Sequence, residues 1–77
     1  MIVYLKAEYR YFKLDLISNT EESIVAMNED WFSHTKYDYR DMKPVIPEGA
    51  IVISKSEYDL VDNKCLMFRL NNKLKEQ

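Results

Sequence analysis

The 77-residue sequence predicts an α+β domain in the order β-β-α-β-α: a small antiparallel sheet, one central amphipathic helix and a long C-terminal helix. Three observations carry that class. Residues 2–16 alternate apolar and polar side chains with a period of two, the pattern of strands half-buried on one face. A Ser-Asn-Thr-Glu-Glu run then opens a stretch whose apolar residues recur three and four apart. The final third contains neither Gly nor Pro and ends in good helix formers.

In the first strands Val3, Leu5, Ala7, Tyr9 and Tyr11 share one parity, against Lys6, Glu8 and Arg10. At Phe12 the parity flips, and Phe12, Leu14 and Leu16 become the apolar set. A slip of one residue turns every side chain to the other face, so the segment is a hairpin or a bulged strand near residues 10–12. The hairpin is preferred, with a turn that lacks the usual Gly or Asn.

Asn19 or Thr20 caps a helix over residues 20–33, with Glu21 and Glu22 near its positive end. Ile24, Met27 and Trp31 form its apolar face, flanked by Val25 and Phe32. Residues 34–43 follow neither period and read as loop. Pro47 and Gly49 fit the second and fourth positions of a type I turn. Residues 50–53 then make a short buried strand.

Ser54 and Glu57 form a capping box that opens the last helix, extending over 55–76. The rival is a hairpin of 57–61 and 65–70 turning at Asp62-Asn63. On a helical wheel Tyr58, Val61, Cys65 and Phe68 make one apolar stripe. Leu60, Met67, Leu70 and Leu74 make a second, roughly opposite, with Asn63 as its polar member. One stripe suffices to sit on a sheet. The second calls for another cover, and self-association as a homodimer through Leu60, Met67, Leu70 and Leu74 is one.

The chain reads as a single domain, 1–77, without repeats. A chain this short buries only roughly 63% of its extended surface. That leaves no room for a deep cleft, while 47% hydrophobic residues exclude disorder. Cys65 is the one cysteine, so no intramolecular disulfide staples the core. Lys6 and Glu8 interrupt the N-terminal apolar run, so no secretory signal is read. The longest apolar runs, 50–53 and 65–68, fall far short of a membrane span. A cytoplasmic, non-membrane protein is expected. One Gly and two Pro beside six Tyr give the composition an AT-rich flavour, in keeping with a phage or a low-GC bacterium.

Little here builds catalysis, and the chain is read as no enzyme, with no cofactor. Nucleophilic catalysis needs a base beside its nucleophile. The single histidine is His34, and Cys65 sits in an apolar stripe where its thiol is inert. Gly49 is the sole glycine, so no loop of backbone amides can cradle phosphate. Asp30, His34, Asp38 and Asp41 are spaced to share a helix face, but read as a solvated face with no metal. Tyr9, Arg10, Tyr11 and Lys13 interleave aromatic and basic groups as single-stranded nucleic acid requires. A net charge of −2 weighs against that alternative.

Charge is unevenly laid out. Residues 14–35 hold Asp15, Glu21, Glu22, Glu29 and Asp30 and no Lys or Arg, a net of −5, while residues 1–13 carry +2. An acidic helix face beside Trp31, Tyr37 and Tyr39 has the make-up of an interaction patch. The function expected is therefore a non-enzymatic binding module, of the small inhibitor or regulator kind. It would dock Glu21, Glu22, Glu29, Asp30, Trp31, Tyr37 and Tyr39 on a basic surface of a partner protein.

Overall fold

The computed structural model describes residues 1–28 and 30–75. Among these residues five strands precede one helix: β1 (Ile2–Ala7), β2 (Arg10–Asp15), β3 (Thr20–Met27), β4 (Trp31–Asp38), β5 (Ile51–Val52) and α1 (Lys55–Lys75). The strands form one antiparallel sheet in the order β4-β3-β2-β1-β5. The first four are a meander, and α1 packs across one face.

The α+β class holds, but the order is β-β-β-β-β-α and the central helix does not exist. Residues 20–33 are β3 and the start of β4, paired in register from Thr20↔Asp38 to Met27↔Trp31. The cause is burial on both faces. Ile24 is buried under α1 and its neighbour Ser23 is buried on the other side. A strand covered twice shows no alternation, and its apolar spacing imitates a helix. The acids have cross-strand partners in place of a helix dipole: Glu22 lies between Lys13 of β2 and Lys36 of β4.

The β1–β2 hairpin turns at Glu8-Tyr9, with Ala7 opposite Arg10. Glu8 takes a left-handed φ of 57°. The turn thus precedes the parity flip, and Tyr9 belongs to no strand. Between β2 and β3 the Asp15 carboxylate accepts from the amides of Ile17 and Ser18 at 2.9 and 3.2 Å, and Asn19 closes the loop at φ 58°. Those backbone bonds hold the Asp15 carboxyl below its ordinary pKa.

The supposed loop over 34–43 is strand as far as Asp38. The chain then crosses the second face to reach the far edge. Ala50 packs there on a core of Leu5, Phe12 and Leu14, and Lys43 donates to the Leu16 carbonyl at 2.6 Å. The Ala50 amide bonds the Pro47 carbonyl at 3.2 Å with Gly49 at φ 77°. Gly at the third position makes this a type II turn, not type I. β5 is a two-residue edge strand with both side chains exposed, not a buried one; Ile53, just after it, is buried.

α1 begins where the capping box places it. The Ser54 hydroxyl accepts from the Glu57 amide at 3.1 Å, and one continuous helix follows in place of the rival hairpin. Tyr58 and Cys65 are buried against Ile24, Phe32 and Ile53, with Val61 and Phe68 beside them. Tyr58 meets Tyr4 of β1 at 5.3 Å and Phe68 meets Phe32 of β4 at 5.8 Å, so α1 crosses the sheet from β1 to β4.

Candidate functional site

The acidic, aromatic-flanked helix face is not formed. Glu21 and Glu22 are consecutive in a strand, so their side chains leave opposite faces of the sheet. Glu21 accepts from the Tyr39 hydroxyl at 3.1 Å on the crossover side. Glu22 lies on the α1 side, 3.5 Å from His34 Nε2 and 3.8 Å from Lys36 Nζ. Asp30 and Trp31 lie at the other end of β3, with Trp31 opposite its last residue, Met27. Tyr37 and Tyr39 stack edge-on at 4.6 Å near Glu21. Glu29 lies outside the described residues. What looked like one face is divided between two faces and two ends.

The alternative nucleic-acid set is divided in the same way. Tyr9 projects from the first turn, and Arg10 lies over the Phe12 ring at 5.6 Å on the crossover face. Tyr11 and Lys13 point to the α1 face, where Tyr11 packs against the core under Lys6. No shared stacking platform results.

Cys65 is fully buried, and desolvation pushes its thiol pKa up. That is the reverse of what a nucleophile needs. The Tyr58 hydroxyl is also buried and has no hydrogen-bond partner among the described residues. Burial first, then the nearby Glu22 and Asp62 charges, holds this phenol protonated well above its ordinary range. Among the described residues no group of three or more His, Cys, Asp or Glu is placed to hold a metal ion. Asp30, His34, Asp38 and Asp41 therefore form no cluster, since β4 carries the middle two.

What the fold does assemble is an open groove of 820 Å³ between α1 and the β3–β4 end of the sheet. Tyr11, Ala26 and Phe32 supply its sheet wall; Leu60, Met67 and Phe68 supply its helix wall. Asn28, Asp30 and Lys64 stand at its polar edges. The groove continues into the second stripe of α1. Leu60, Leu66, Met67, Leu70 and Leu74 are between 46% and 67% exposed, although α1 already buries its other stripe. From Arg69 to Lys75 every residue is exposed, so the last two turns extend past the final core contact. The wheel alone places Leu60, Met67, Leu70 and Leu74 on this surface. The sheet wall was hidden, because Ala26 and Phe32 share a face only once residues 20–33 are read as two strands.

No family model, curated protein or solved structure matches the chain. No helix among the described residues is long and apolar enough to cross a membrane.

Proposed function

We propose that this protein is a non-enzymatic protein-interaction module that docks through the second stripe of α1 and the groove beside it. One observation carries the reading: a helix that already buries Tyr58 and Cys65 presents five more large apolar side chains to water. A contiguous apolar surface rimmed by polar groups is the usual mark of a binding site. The floor is aromatic and aliphatic and the rim is Asn28, Asp30 and Lys64, the anatomy of an interface with an apolar centre.

In its narrower form the module is a small regulator or inhibitor working in the reducing cytoplasm, where a lone thiol such as Cys65 stays free. The test is affinity capture from the native host with the wild-type chain and with Leu60→Glu/Met67→Glu. A bound protein lost in the double variant supports the reading. Equal capture by both chains removes it.

A further inference from the structure

We propose, resting on that docking surface, that its occupant is a second copy of this chain, the two α1 helices pairing antiparallel about a two-fold axis near Met67. Leu60, Met67 and Leu74 recur every seven residues, with Asn63 and Leu70 in the intervening seam positions, which is the spacing of one helix laid along another. Leu60 and Leu74 lie seven residues either side of Met67, so these three are symmetric about it. Reversing the direction of one helix lays Leu60 against the partner's Leu74 and Met67 against the partner's Met67.

Charge selects the direction. The first half of α1 carries Glu57, Asp59 and Asp62, with Lys64 beside them and Lys55 paired to one Asp59 oxygen at 2.7 Å, so that a second cation there would share the carboxylate. The second half carries Arg69, Lys73 and Lys75 and no acid. Parallel helices would set basic end against basic end. Antiparallel helices set the acidic half of each along the basic half of the other, and they also oppose the two helix dipoles. Asp59 and Lys73 each stand one residue before a seam leucine, on the same flank. In an antiparallel pair that flank faces its own counterpart, so Asp59 meets the partner's Lys73 and the contact is made twice. Asp30, at the polar edge of the groove, adds an acid outside the helix.

The exposure of the last two turns supplies the access such a pairing needs. Leu70 and Leu74 lie beyond the last core contact, where a second helix can approach them. The other stripe is committed to the core through Tyr58 and Cys65.

The experiment is sedimentation of the full chain from low to high micromolar concentration. Wild type is expected to move from monomer to dimer. Leu60→Glu/Met67→Glu is expected to stay monomeric with an unchanged circular dichroism spectrum. Leu74→Glu, placed beyond the core, gives the same result without touching the fold. Lys73→Glu is expected to weaken dimerisation by about five- to tenfold, since the pair is lost twice. The exchange Asp59→Lys/Lys73→Glu restores it.

A wild-type chain that stays monomeric overturns the second copy as occupant, while the capture experiment above still decides whether the surface docks another protein. A dimer that survives both Leu60→Glu/Met67→Glu and Leu74→Glu overturns the stripe as its seam. A dimer broken by Leu74→Glu but indifferent to Lys73→Glu overturns the antiparallel direction.

Discussion

Phe32 of β4 and Phe68 of α1 meet with ring centroids 5.8 Å apart and planes tilted by 57°, and α1 ceases to be a core helix at that contact. Before it, the helix buries Tyr58 and Cys65; after it, every side chain faces solvent. The pair fixes both the end of the core and the start of the free segment.

Phe68→Ala is expected to cost about 2–3 kcal/mol, below the range for a fully enclosed Phe because Phe68 is half-buried. Combined with Phe32→Ala, it should show a coupling of about 0.5–1.5 kcal/mol from the aromatic contact. Urea unfolding of the two single variants and the double variant measures it. Strictly additive losses contradict the direct contact.

Ser54→Ala removes the acceptor for the Glu57 amide and is expected to cost about 1 kcal/mol. Ser54→Asp keeps an acceptor at that position and should be nearly neutral. Denaturant midpoints of the three chains test the cap.

Glu8 holds a left-handed φ in a two-residue turn, which a Cβ disfavours. Glu8→Gly is expected to raise stability by about 1 kcal/mol. Gly49→Ala should lower it by about 1 kcal/mol, since φ is 77° there although an added Cβ would meet nothing within 4 Å. A stabilised Gly49→Ala chain would contradict the type II turn.

Cys65 and Tyr58 both have pKa values raised by burial, from ordinary values of 9.0 and 10.0. Each acid is held neutral in the folded chain and ionises more readily once unfolded. Their contribution is fully present below pH 9 and is lost as pH rises through the ordinary Cys and Tyr values toward the raised ones. Denaturant unfolding measured from pH 7 to pH 11 should show this alkaline decline, with a weaker slope in Tyr58→Phe. The Cys65 thiol should react with disulfide reagents only as fast as the fold opens. Rapid labelling at neutral pH contradicts its burial.

The sequence announces some elements clearly because one side of them is wet. The flip of parity at Phe12 marks a hairpin, although the turn falls earlier, since Tyr9 and Tyr11 share a parity without sharing a strand. Ser54 and Glu57 mark the helix start because a cap is local chemistry. The central region misleads for a physical reason. Ser23 and Ile24 are adjacent and both buried, so β3 lacks the period that identifies strands. Asn28 turns the chain at φ 58° where a Gly would have announced a turn. The acidic patch was lost with the helix that would have displayed it. The stripe of Leu60, Met67 and Leu74 needed only the helix to be visible, whereas its groove needed Ala26 and Phe32 from other elements.

The position of α1 at the end of the element order has a consequence for synthesis. β1 to β4 pair with their neighbours in sequence, so the meander can form its hydrogen bonds as soon as residue 38 has left the ribosome. The face that carries Tyr4, Tyr11, Ile24 and Phe32 has no cover until residues 55–75 have followed. During that interval the nascent sheet is a sticky, one-sided object, and the arrival of the helix is what ends its exposure to aggregation.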